Sequence, residues 1–142
     1  LKIQDGDELR FGAHTLRAIY TPGHTDDSYS FYDEAGGRVF TGDTLLIRGT
    51  GRTDFQNGDP AAQYDSLFHR LLRLPGETLV YPAHDYRGWT VSTINEELRW
   101  NPRLQVSDAE EYARIMNNLD LPDPKQMDVA VPANQRCGQP PD

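Results

Sequence analysis

Apolar and polar residues alternate through the first forty positions, broken by short glycine-containing stretches. Glu8–Phe11 and Thr15–Tyr20 read as strands joined through Gly12-Ala13-His14, a hairpin connection. The opening LKIQDGDELRFG reads as the middle of a sheet, with an Asp-Gly turn between alternating residues, so residue 1 is not expected to be the start of the gene product. Ser28–Tyr32 alternates again, and Glu34–Gly37 turns the chain into a strand over Arg38–Phe40. Thr44–Asp59 has no sustained period and predicts a long loop, a kind that is often functional in a compact domain.

Beyond the loop the period changes. Tyr64, Leu67, Phe68, Leu71 and Leu72 lie on one stripe of a helix over Pro60–Leu74, with Pro60 in the first turn. Thr78–Tyr81 is a short buried strand ending at Pro82. Thr93-x-x-Glu96 and Ser107-x-x-Glu110 are capping boxes, and the helix after the first stops before Asn101-Pro102. From Pro122 onward, five prolines and no period predict an ordered coil or a tail.

With 142 residues, 37% of them hydrophobic, the chain suits one domain. A net charge of −8 argues against a nucleic-acid partner or a basic membrane-surface protein. No stretch approaches the ~18 apolar residues that span a bilayer. One cysteine, Cys137, forms no disulfide within these residues and suits a reducing compartment. The composition predicts a soluble intracellular domain.

His24, Asp43 and His84 each follow a short apolar strand, where side chains converge at one end of a sheet. Imidazole with carboxylate is a ligand set for zinc or non-haem iron; the plainer alternative is that each satisfies loop backbone groups. His14 sits in a hairpin connection, and His69 has no polar partner at suitable spacing, so neither is a candidate. Arg48, Arg52 and Asp54 crowd one loop, where Gly49 and Gly51 allow a close approach to a ligand. A solvated charge cluster, or an Arg–Asp pair ordering the loop, explains them equally. Cys137 reads as a buried small hydrophobe rather than a nucleophile.

In order, TPGHT, FTGD, LLIRGTGRTDFQNGD, YPAHDY and PANQRCG resemble the metallo-β-lactamase superfamily, and within it the persulfide dioxygenases. TPGHT and TGD speak only for the fold; GRTDF and VAVPANQRCG are more specific. The resemblance runs from about Gly6 to Gly138. It implies an α+β protein with the αβ/βα sandwich fold, of which residues 1–142 are the C-terminal part of a single domain. The family's His-x-His-x-Asp-His motif, which precedes the position of His24, does not occur in these residues.

By that resemblance His24 and Asp43 are two of three ligands to one Fe(2+) per complete domain, and the first histidine of the absent motif is the third. His84 neighbours the iron without binding it. Arg52, Asp54 and Tyr86 match a glutathione-binding wall. Asp26-Asp27 replaces a Pro-Gly common in relatives, a change of loop shape. The implied reaction is oxygenation of glutathione persulfide by dioxygen to sulfite and glutathione, dependent on the N-terminal half of the domain. A location in the bacterial cytoplasm or the mitochondrial matrix follows, with homo-oligomerisation compatible. Two alternatives stand beside it. One is a glyoxalase II-like thioester hydrolase with two zinc ions, Asp43 bridging and His84 on the second metal, which GRTDF disfavours. The other is a non-catalytic half-domain that binds a ligand or partner.

Overall fold

The computed structural model describes residues 2–55, 57–123, 126–136 and 138. Four antiparallel strands come first: β1 (Glu8–Phe11), β2 (His14–Tyr20), β3 (Tyr29–Asp33) and β4 (Arg38–Gly42). Within the loop the sequence left unstructured, β5 (Leu45–Leu46) and β6 (Gly49–Thr50) pair as a separate two-stranded ribbon. Two residues per strand are too few to show alternation, which is why no period was visible there.

Helix α1 (Pro60–Asp65) follows, capped by Asp59, whose carboxylate accepts from the N–H groups of Ala61 and Ala62. The predicted single helix widens over Ser66–Arg70 and tightens over Leu71–Arg73. The widened turn brings Leu71 and Leu72 onto the face of Leu67, and all three are buried. His69 has the polar partner the sequence reading missed: Asp65 Oδ1 lies 2.8 Å from its Nδ1, at i,i+4 spacing.

The chain then re-enters the sheet as β7 (Leu79–Pro82), parallel to β4, and β8 (Ser92–Thr93) pairs antiparallel to β7. The six-stranded order is β1-β2-β3-β4-β7-β8. One face of the sheet presents Tyr32, Val39 and Val80 to Leu67, Leu71, Ile94 and Tyr112, which together form the core. The other face carries the cross-strand row Phe31, Phe40 and Tyr81, and there Phe40 remains 41% exposed.

Among the described residues three α-helices follow, α2 (Ile94–Trp100), α3 (Ala109–Asn117) and α4 (Met127–Gln135), with a 3-10 turn over Pro102–Leu104 between the first two. Thr93 caps α2 as the capping box required, but Glu96 turns away to pair with Arg48. The α3 cap is one residue later than predicted. Asp108 accepts from Glu111 N–H, and the Glu111 carboxylate reaches back to Ser107 N–H and Oγ. The predicted coil after Pro122 contains α4, which keeps Pro132 inside it. Prolines read as helix breakers there, although a helix can tolerate the lost bond at a kink. The reading of Cys137 lies outside the described residues.

Candidate active site

Three strand ends converge, as the sequence predicted. Gly42 takes φ +53° and turns the chain sharply out of β4, which sets Asp43 at the sheet's end. The Gly42 carbonyl accepts from Ala83 N–H at 2.9 Å, so the exit of β7 is tied to the exit of β4. His84 therefore reaches Asp43: its Nδ1 lies 2.5 Å from Asp43 Oδ1. His24 comes from the turn after β2. Thr44 Oγ1 donates to the Thr21 carbonyl at 3.1 Å, linking the segment before His24 to the residue after Asp43.

The tautomer of His24 follows from its partner. Nδ1 lies 2.7 Å from the Arg52 carbonyl oxygen, which can only accept, so Nδ1 carries the proton. In the neutral imidazole Nε2 then keeps the lone pair, and it faces Asp43 Oδ2 at 3.8 Å. Two acceptors that face each other repel until a proton or a cation lies between them. Nitrogen and carboxylate oxygen are a donor set that suits iron(II) or zinc, and a backbone carbonyl on the far ring nitrogen is the usual support of a ligating histidine. Among the described residues, no group of three His, Cys, Asp or Glu side chains is arranged to hold a metal. His84 spends its Nδ1 proton on Asp43, which steadies that carboxylate.

The loop that supplies the Arg52 carbonyl is held from behind by buried groups that sequence reasoning missed. Gln63 is fully buried: its Nε2 donates to the Gly51 carbonyl at 3.1 Å and its Oε1 accepts from Tyr112 Oη at 2.7 Å. Burial pushes the Tyr112 phenol far above its usual range, so it stays a neutral donor. Arg103 donates to the Thr50 carbonyl. Gly51 packs so closely that a Cβ there would lie 2.0 Å from the Asp43 carbonyl oxygen. Gln63 stands one residue before the helical stripe that begins at Tyr64, and nothing local in the sequence signals its bond to Tyr112 or to the Gly51 carbonyl.

Arg48 belongs to a second buried network and does not line up with Arg52 as the sequence grouped them. Its φ is +57°, an unfavourable conformation for a residue with a side chain. The fully buried Glu97 carboxylate holds it there, accepting from Arg48 N–H at 2.8 Å and from its guanidinium, and also from Ser92 Oγ and Asn101 Nδ2. The loop is thus pinned to α2.

Arg52 and Asp54 form a two-pronged pair at 2.6 and 2.7 Å, and Arg52 also donates to the Pro122 carbonyl at 3.0 Å and covers the Phe55 ring. The Arg52 guanidinium holds the Asp54 carboxyl below the usual carboxylate range. Arg52, His24, Asp43, His84 and Tyr86 all border one cavity of about 740 Å³. Asp54 is not in its wall. Tyr86 is 82% exposed at the mouth, its ring stacked 6.1 Å from that of His84. Asp26 and Asp27 shape the turn after His24: the Asp26 carbonyl accepts from Tyr20 Oη, and Asp27 accepts from Thr25 Oγ1.

Comparison with known proteins gives this geometry its context. The human protein named "Persulfide dioxygenase ETHE1, mitochondrial" is 53% identical over 138 residues, which cover 97% of this chain and 54% of the human one. The crystal structure of ETHE1 from Myxococcus xanthus superposes with a TM-score of 0.93 at 55% identity, covering 98% of this chain and 61% of that one. A hydroxyacylglutathione hydrolase of Brucella anthropi is 44% identical over 133 residues, 91% of this chain and 49% of that protein. The chain spans about half the length of the curated relatives it matches. The family model described as "Metallo-beta-lactamase superfamily" matches residues 1–84, the stretch that carries β1 to β4, the His24 turn, Asp43 and His84. By fold, by the convergence of these strand ends and by that match, the chain belongs to the metallo-β-lactamase superfamily.

Proposed function

We propose that the protein containing this chain is a persulfide dioxygenase. It would convert glutathione persulfide, one dioxygen and one water to glutathione and sulfite. His24 Nε2 and Asp43 Oδ2 are two of three protein ligands to one iron(II), and the third comes from a segment outside these residues. The single observation that carries this reading is the pair of facing acceptors 3.8 Å apart, one of them held in tautomer by the Arg52 carbonyl. Similarity above 50% over nearly the whole chain, to proteins named persulfide dioxygenase, supports the choice of reaction.

When bound, iron(II) with three protein ligands leaves open positions at which a sulfur substrate and dioxygen are brought together. The chain's own residues do the rest. Asp43 is steadied by the proton His84 donates to its Oδ1, and His24 by the Arg52 carbonyl, so both acceptors keep their orientation. Arg52, locked to Asp54, stiffens the wall rather than offering a free fork. The cavity bordered by these groups orients the thiol moiety toward the pair and leaves Tyr86 at its mouth.

The hydrolase reading requires His84 on a second metal and Asp43 between two. The 2.5 Å bond between them engages Asp43 Oδ1 and leaves Oδ2 as the oxygen that faces His24, which supports one metal at that pair. The partly exposed row Phe31, Phe40 and Tyr81, together with the two-ligand count, supports the view that residues 1–142 are the C-terminal part of one sandwich domain. Where the protein resides follows its source: the human relative's name places that protein in mitochondria. Among the described residues no helix is long and apolar enough to cross a membrane.

The test is elemental analysis of the complete protein with oxygen uptake and sulfite release on glutathione persulfide. One iron per chain with sulfite formed supports the proposal. Two zinc ions and thioester cleavage establish the hydrolase, and no metal establishes the binding module.

A further inference from the structure

Four arginines border the cavity, and their guanidinium groups differ in what they have left to offer. Arg48 is committed to Glu96 and Glu97. Arg52 spends Nε and both Nη groups on Asp54 and the Pro122 carbonyl. Arg103 donates to the carbonyl and hydroxyl of Thr50. Arg87 differs: among the described residues, no carboxylate or carbonyl accepts from its guanidinium.

Arg87 is nonetheless presented, not loose. The Asp85 carboxylate accepts the N–H groups of Arg87 and Trp89 at 3.0 and 2.7 Å, which folds residues 85–89 into a tight turn beside His84. The guanidinium carbon lies 5.4 Å from the centroid of the Trp89 ring, within cation–π range, which holds the side chain near the ring without using its N–H donors. Asp43, Asp85 and Asp123 border the same cavity, and the guanidinium groups of Arg48, Arg52 and Arg103 are already bonded to the protein, so among the described residues Arg87 is the cation on this wall with donors left for a carboxylate-bearing substrate.

We infer that Arg87 is the specificity-determining cation of this site: it binds a carboxylate of the peptidic thiol whose terminal sulfur reaches His24 and Asp43. Arg52, the arginine that the sequence nominates for this task, instead holds the wall. This rests on the persulfide reading for the reaction but not for the binding. A tripeptide thiol such as glutathione has two carboxylates remote from its sulfur, and Arg87 borders the same cavity as His24 and Asp43.

The experiment uses the complete protein and two readouts. Calorimetric binding of reduced glutathione should weaken about tenfold in Arg87→Ala, the usual scale for one charge-assisted bond at an open site, and recover in part in Arg87→Lys. Oxygen uptake should show kcat/KM for glutathione persulfide falling about tenfold relative to the persulfide of glutathione diethyl ester, with the loss in KM. Arg99→Ala, on the exposed side of α2, should leave both readouts at wild-type values. Equal losses on acid and ester, or unchanged glutathione binding in Arg87→Ala, would overturn the inference, as would a wild-type protein that does not bind glutathione. Arg87-dependent glutathione binding without oxygen uptake would sustain it and remove the dioxygenase proposal instead.

Discussion

Replacing Gly51 with alanine places a methyl group where the structure has no room. The added carbon would lie 2.0 Å from the Asp43 carbonyl oxygen and 3.0 Å from Cγ and Nδ1 of His24. Carbon and oxygen ordinarily approach to roughly 3.3 Å, so more than ~1 Å must be recovered by moving backbone. Neither side yields easily: Thr44 is bonded to Thr21 and Thr41, and the Gly51 carbonyl is held by Gln63. Overpacking of this kind costs about 1–3 kcal/mol, and a clash with backbone belongs near ~3 kcal/mol. The displaced groups are those around Asp43 and His24, so metal content should fall together with stability. Gly49 gives the control in the same loop, because a Cβ there meets only Leu46 Cβ at 4.0 Å. Gly49→Ala should change stability by less than ~1 kcal/mol. Urea unfolding and metal content of both variants, in the complete protein, provide the comparison. If Gly51→Ala unfolds with Gly49→Ala and keeps its metal, the close approach does not shape the site.

His24→Ala and Asp43→Ala should each lose the metal by elemental analysis, whereas His84→Ala should keep most of it and lower turnover; equal metal loss in all three would restore the dinuclear reading. Glu97→Ala leaves the Arg48 guanidinium without its buried partner and should destabilise by about 3–5 kcal/mol in urea, with Glu97→Gln costing less because the amide keeps part of the network; equal midpoints for wild type and Glu97→Ala would contradict the anchoring role. The Tyr20 N–H bond, helped by Arg70, holds the Asp5 carboxyl below its usual range despite an opposing desolvation effect. Its contribution is therefore complete above the unfolded carboxylate pKa of ~3.9 and is lost as pH falls through the lower folded value. Asp5→Asn should flatten the acid limb of stability against pH, and an acid limb as steep as wild type would show that Asp5 contributes nothing to it.

What the chain determines locally is legible in its sequence. Alternation marked β1 to β4, and the 3.6-residue period marked the stripe through Leu67 and Leu71, because those patterns report burial on one face of a single element. His24, Asp43 and His84 were legible for a related reason: each stands at the end of an apolar run, beside the glycine or proline that turns the chain. The fold family was legible through the order of its motifs. Long-range pairing was not. Nothing near Glu97, Gln63 or Tyr112 announces that they grip a loop 12 to 62 residues away. Nor do Arg52 and Arg87 look different in sequence, since both are arginines beside a glycine and near an aspartate. Their roles separated only when the tertiary structure gave Asp54 and the Pro122 carbonyl to one and an open cavity edge to the other. A side chain's type follows from sequence, but its remaining hydrogen-bonding capacity depends on which distant groups folding has already brought against it.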